Sequence, residues 1–281
     1  MPAKESNQGF VIAIGAIFAW LTLASPVQSQ DHDAHGQHGA PAPAGASQRI
    51  EAKLSAPDSI RPNQQVPLTV QVQDAQGQRI TAYERFQEAL MHMIVVSDDL
   101  RFFNHLHPEH DGNGNFKVTT RFPAPGAYTL FCDYKPAGRA EQVSVLKLAV
   151  PGAMPVTPAI DTATTVKHFA QTTVTLGVSP AQLKAATDTL VTFDLRQKEN
   201  GQPVADLQPY LGEKGHLVII KQSSPLSGAD YIHAHALKEG NGAAVQFMTR
   251  FPRPGLYKLW GQFNRGGTIL TADFWVDVKP H

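Results

Sequence analysis

The chain has one cysteine, Cys132, in 281 residues. No intramolecular disulfide can form, so the fold must stand on its apolar core, and a buried, inert thiol is the plain reading of Cys132. Charge of either sign is no more prominent: 24 Lys and Arg stand against 24 Asp and Glu, a formal net charge of zero. A nucleic-acid binder would carry a basic excess or a Lys/Arg stripe, and neither is present, which excludes nucleic acid as a partner. Long apolar runs are missing too. The most apolar stretch, "GFVIAIGAIFAWLTLA" at residues 9–24, falls short of the roughly 20 residues that a membrane-spanning helix needs.

With Lys4 before it and the small residues of "SPVQSQ" after it, that stretch reads as a secretory signal peptide over residues 1–29. A periplasmic or secreted location follows as the expectation, with no stable membrane insertion after cleavage. No cysteine stands behind the apolar run, so a lipoprotein anchor is excluded. Residues 30–48, "QDHDAHGQHGAPAPAGASQ", carry too little apolar bulk to offset the entropy of ordering and read as a disordered tail. His32, His35 and His38 recur there at every third residue. Cleavage after Ser29 would also leave His32 third from a free amine, an arrangement that suits Cu(II) or Ni(II) in a square-planar nitrogen set.

What the chain has in quantity is glycine and proline, 22 and 21 residues, set between short runs rich in Val, Ile and Phe. Many strands joined by turns give an all-β class. The chain also repeats itself. Residues 77–96, "GQRITAYERFQEALMHMIVV", lie against 201–220, "GQPVADLQPYLGEKGHLVII", without a gap. "RFPAPGAYTLFCDYKPAG" at 121–138 lies against "RFPRPGLYKLWGQFNRGG" at 250–267, and "FNHLHP" at 103–108 against "YIHAHA" at 231–236. Two repeats follow, at residues 49–150 and 171–281, with a proline-marked linker at 151–170. Within each, alternating strands and Pro-Gly turns predict an antiparallel β-sandwich of immunoglobulin-like type. "MIVVS" and "LVIIK" do not alternate, and read as strands buried on both faces.

Three histidines occupy matching places in both repeats: His92, His105 and His107 in the first, His216, His233 and His235 in the second. Residues two apart on a strand project from one face, so each His-x-His pair points together, and convergence with His92 or His216 at one rim of each sandwich is the expectation. An imidazole removed from water without a partner costs about 1–3 kcal/mol. Water and backbone carbonyls could satisfy such groups; so could a divalent ion taking three neutral nitrogens. Met91 and Met93 read as core. Glu109, His110 and Asp111 lack counterparts and read as outer contributors to the first site. His168 and His281 read as surface residues. A cupredoxin centre is disfavoured, because "CDYKPAGRAE" offers no histidine or methionine after Cys132 and Gly261 replaces that cysteine in the second repeat.

"MHMIVVSDDLRFFNHLHPE", "YLGEKGHLVII", "IHAHA" and "FPRPGLYKLWGQFNRGG" together resemble secreted bacterial β-sandwich domains of the YtkA-like kind. That resemblance implies copper or other heavy-metal handling in the cell envelope. The leading expectation is a metal-binding protein, copper first and zinc second, that sequesters the ion or passes it on to envelope metal-transport proteins. Two alternatives stand beside it. One is a metal-dependent hydrolase using a tri-His site, with Asp98, Asp99 and Glu109 as the nearby carboxylates; the other is a metal-free envelope interaction module.

Overall fold

The structure, a computed structural model, describes residues 50–237 and 244–281. The signal-like segment and the tail with His32, His35 and His38 lie outside the described residues.

Each repeat is a pair of antiparallel sheets. In the first, the outer sheet runs Glu51–Ser55, Gln65–Gln73, Asn115–Arg121, Glu109–His110. The inner sheet runs Tyr83–Glu84, Gly126–Pro136, Met91–Ser97, Phe103–Leu106, and Gln142–Val150 also pairs with Gly126–Pro136. The second repeat has the same two-sheet plan, with the short edge strand of its outer sheet on the opposite side. Its outer sheet runs Val166–His168, Thr172–Ser179, Asp188–Gln197, Ala244–Arg250, and its inner sheet Leu207–Gln208, Gly255–Arg265, His216–Lys221, Tyr231–His235, with Thr268–Val278 on Gly255–Arg265. The fold is therefore all-β, two tandem sandwiches of immunoglobulin-like type. A two-residue strand precedes the central inner strand of each repeat, Tyr83–Glu84 and Leu207–Gln208, paired to the far end of a long strand.

Strand alternation sorts the side chains into three apolar layers. Val66, Leu68, Val70 and Val72 of the outer sheet meet Met91, Met93, Val95, Leu130 and Cys132 of the inner sheet in the first core. Val174, Val191, Phe193 and Leu195 meet Leu217, Ile219, Leu259 and Phe263 in the second. The third layer joins the repeats: Ile94, Val96 and Phe131 of the first inner sheet pack with Val218, Ile220, Tyr231, Trp260 and Trp275 of the second. The two inner sheets thus stack on one another by their outward faces. This explains why "MIVVS" and "LVIIK" show no polar alternation, since one face of each strand belongs to its own core and the other to the partner repeat.

The contact is isologous, like the interface of a two-fold dimer. Phe103 stacks on Trp260 with ring centroids 4.8 Å apart and planes 17° apart. Their counterparts by sequence alignment, Tyr231 and Phe131, stack in the same way at 5.0 Å and 13°. Each repeat therefore offers the same patch to the other around a pseudo-two-fold axis.

Because Ile94 is fully buried on the shared face, Ile94→Ala should destabilise the chain by about 2–5 kcal/mol, as much as a substitution inside a sandwich core. Urea unfolding checks this, and a loss below about 0.5 kcal/mol would mean that the outward faces do not pack in solution.

Candidate metal centre

The same alternation that sends Ile94 and Val96 to the shared face sends His92 there too, with Met91 and Met93 turned into the core. Residues paired directly across an antiparallel ladder project to the same side. His105 pairs with Ile94 and Asp133 with His92, so both join the shared face. In the second repeat His233 pairs with Val218 and Gln262 with His216. His107 follows the strand Phe103–Leu106 and lies beside His92, ring centroids 5.0 Å apart. His235 ends the strand Tyr231–His235 in register with His216, and its side chain lies outside the described part.

The histidines of the two repeats consequently meet each other. His92 lies 6.4 Å from His216 and 5.6 Å from His233 between ring centroids. His105 lies 5.9 Å from His216 and 6.2 Å from His233. Separate clusters at the rim of each sandwich, as expected from the sequence, are not what forms. The faces that carry the histidines are the faces that stack, so the two sets share one interface.

The polar contacts obey the pseudo-two-fold axis. His92 Nε2 donates to the Phe86 carbonyl at 3.2 Å, and His216 Nε2 to the Tyr210 carbonyl at 2.8 Å. His92 Nδ1 stands 3.0 Å from His105 Nε2, and His216 Nδ1 3.5 Å from His233 Nε2. Beyond each pair stands a group of the opposite repeat. His105 Nδ1 donates to the Gln262 side-chain oxygen at 2.7 Å, while the Asp133 carboxylate stands 3.5 Å from His233 Nδ1 with no hydrogen bond between them. An imidazole that gives its single N–H to an outer acceptor turns a lone pair inward. His92 and His105 therefore face each other lone pair to lone pair. His107 Nε2, close by, is buried without a hydrogen-bond partner. One ligand nitrogen from each of His92, His105 and His107 lies within 4.8 Å of the other two.

A family described as "Domain of unknown function (DUF8832)" matches residues 46–150 and 165–280, one segment per repeat. The chain belongs to that family. The first segment contributes His92, His105 and His107 to the interface, and the second contributes His216 and His233. No curated protein matches the chain. Among solved structures it is similar to the Escherichia coli adhesin FdeC, at 17% identity over 81% of this chain and 63% of that one, TM-score 0.26. It is also similar to Escherichia coli alpha-2-macroglobulin, at 11% identity over 84% of this chain and 22% of that one, TM-score 0.27. A two-domain fibronectin type-III segment of chicken tenascin gives 10% identity over 80% and 98%, TM-score 0.24. Likenesses this distant carry no functional argument.

Several residues singled out in the DUF8832 sequence lie elsewhere. Asp98 and Asp99 sit beyond Ser97, at the opposite end of the strand from His92, where they accept from Thr129 and Ser97. At about 3.3 Å per residue that is on the order of 20 Å away. Glu109 and His110 form a short strand of the outer sheet, where His110 packs on Tyr83 and Phe116. Asp111 accepts from the Asn113 and Asn115 backbone and pairs with Lys117. His110 and Asp111 thus find their partners away from the histidine cluster. Cys132 points into the first core, and burial pushes its thiol up to about 12. Gln262 and Asp133 are not among the histidines that the repeat marks, although each is a polar outward position beside an aromatic one, Trp260 or Phe131.

Burial sets the protonation state. Desolvation, reinforced by the neighbouring imidazoles, lowers His92 to about 2 and holds His105 well below its usual range; desolvation also lowers His107. Burial raises the Asp133 carboxyl to about 6. Below an unfolded-state value of about 6.5 the unfolded chain gains protons at these histidines that the folded chain does not take. Their contribution to stability is complete above that pH and is lost as pH falls toward the folded values, by about 1.4 kcal/mol per pH unit for each such proton. Asp133 works oppositely between about 4 and 6, one carboxyl against three histidines. Metal-free protein should therefore lose stability from pH 7 to pH 5 in denaturant titrations, and a flat profile would mean that the imidazoles are hydrated or charged.

Proposed function

We propose that this chain is a metal-binding protein of the periplasm or the secreted fraction, copper first and zinc second, which sequesters the ion or passes it on. The observation that supports this most directly is the His92–His105 pair. The outer acceptors Phe86 and Gln262 take both N–H groups, so two lone pairs stand 3.0 Å apart with nothing of their own to bind. A cation between them removes the repulsion, and His107 Nε2 is the adjacent third donor. Two nitrogens at about 2.0–2.1 Å from one ion stand about 3 Å apart at ordinary coordination angles.

The donor chemistry selects the ion class. Neutral imidazoles suit copper, zinc and nickel, and copper stands highest in the affinity order for such sites; calcium and magnesium want oxygen. His32, His35 and His38 would offer a first, loose capture point on the tail, and the buried cluster a tighter one. Envelope metal-transport proteins are the natural donors or recipients. The YtkA-like resemblance and the signal-like first 29 residues support this placement. A metallohydrolase needs a positioned base, and of the carboxylates proposed for it Asp98 and Asp99 lie at the far end of the strand from His92. Asp133, which does reach it, is aimed at His233 rather than at a coordination position.

Protein purified without a tag should retain or titrate copper or zinc, and saturation at 100 times the dissociation constant should add about 2.7 kcal/mol of stability. Gln262→Leu, which removes the acceptor behind His105, should weaken binding by about 10–100-fold. Absence of binding to untagged protein, with the tail intact or substituted, would leave the metal-free interaction module as the reading.

A further inference from the structure

We infer that Gln262, anchored by Thr271, is a positioning residue that decides which nitrogen of His105 carries the proton, and so switches the first-repeat cluster between a metal-free and a metal-binding form. This rests on the metal-binding reading and deepens it, by stating how the site is kept when its ion is gone.

The contacts form one short chain. His92 Nε2 faces the Phe86 carbonyl, which can only accept, so the His92 proton is fixed there and His92 Nδ1 is a lone pair. His105 Nε2 stands 3.0 Å from that lone pair, and His105 Nδ1 stands 2.7 Å from Gln262 Oε1. At its other end the Gln262 amide donates from Nε2 to Thr271 Oγ1 at 3.2 Å; the two residues are direct partners on the ladder between Gly255–Arg265 and Thr268–Val278. His92 is fully buried, and His105 and Gln262 are 8% and 5% exposed. Each polar atom therefore depends on these partners rather than on solvent.

With the His105 proton on Nδ1, two lone pairs face each other, an arrangement that suits an ion. Without an ion the same atoms have a better arrangement. A proton on His105 Nε2 turns the 3.0 Å contact into an N–H···N hydrogen bond to His92. His105 Nδ1 then accepts, and the amide meets it by turning end for end: Nε2 donates to His105, and Oε1 accepts from the Thr271 hydroxyl, which can donate as well as accept. Every group in the chain stays paired in both forms. One proton leaves Nδ1 and one arrives at Nε2, both by exchange with water, and no ring changes charge.

Few side chains permit this. An amide carries a donor and an acceptor at the two ends of one plane; a carboxylate would only accept, and would hold His105 in the form with its lone pair inward. The aligned position in the first repeat is Asp133, a buried carboxyl, so the repeats differ at the residue that governs the switch. An ion entering the metal-free cluster must displace the N–H···N bond, and the apparent affinity falls by the fraction of chains that hold the receptive tautomer. That suits a protein which passes its ion on.

The test is long-range 1H–15N correlation of the imidazoles at neutral pH, on the full chain with His32, His35 and His38 replaced by Ala so that the tail binds no metal. It is recorded metal-free and then with one equivalent of Zn(II). His105 protonated on Nε2 without metal and on Nδ1 with zinc is the expected result. In Gln262→Glu the proton should sit on Nδ1 in both states, and zinc should bind about 10-fold more tightly. Metal-free His105 already protonated on Nδ1 would overturn the switch and leave metal binding standing, and this measurement on the unaltered cluster decides the matter even if the variant does not fold. A Gln262→Glu protein with the wild-type pattern would likewise overturn it. No retained zinc, together with no retained copper, would overturn both.

Discussion

The stacking of the two inner sheets by their outward faces is the constraint on which the rest depends. A sandwich ordinarily turns one face of each sheet to water and makes it polar. Here the outward faces of Met91–Ser97 and His216–Lys221 carry Ile94, Val96, Val218 and Ile220, all fully buried. Buried apolar area stabilises by roughly 25 cal/mol per Å², so exposing those faces would cost each repeat several large side chains at once. The association is therefore part of the fold rather than a contact between finished domains.

The same stacking decides what the histidines experience. Toward one end of the shared face the pairs Phe103–Trp260 and Phe131–Tyr231 close an apolar layer. Toward the other end strand alternation leaves no choice but to carry His92 and His216 into the same desolvated gap. Polar groups enter such a gap only with partners. Phe86 and Tyr210 supply carbonyls and Gln262 supplies a side-chain oxygen to the opposite repeat, where the Asp133 carboxylate also reaches across to stand 3.5 Å from His233. The site and the interface are one structure.

Much of this was legible in the chain. The gapless alignment of residues 77–96 with 201–220 defined the repeats, and the recurrence of three histidines separated His92, His105 and His107 from His110 and His168. "MIVVS" and "LVIIK" even announced a covered second face. What covered it was not legible, because strand periodicity reports that a face is buried and not by what. Two independent rims were the natural expectation, and the pseudo-two-fold arrangement replaced them. Gln262 and Asp133 escaped because they differ between the repeats, and a search for recurrence passes over positions that diverge. Asp98 and Asp99 misled for the opposite reason: they are close to His92 along the chain, but a strand carries its ends far apart.

That divergence is where the two halves cease to be equivalent. Gln262 is neutral and sits at 2.7 Å from His105, whereas its counterpart Asp133 is a fully buried carboxyl at 3.5 Å from His233. A buried carboxylate is tolerated when a positive charge is near. Burial raises the Asp133 carboxyl to about 6. An ion in the cluster would supply the missing charge through His233, and the carboxylate would in turn make that imidazole a stronger donor than His105. On the proposed reading the duplication has set unlike groups, Gln262 and Asp133, behind matching histidines of the two repeats.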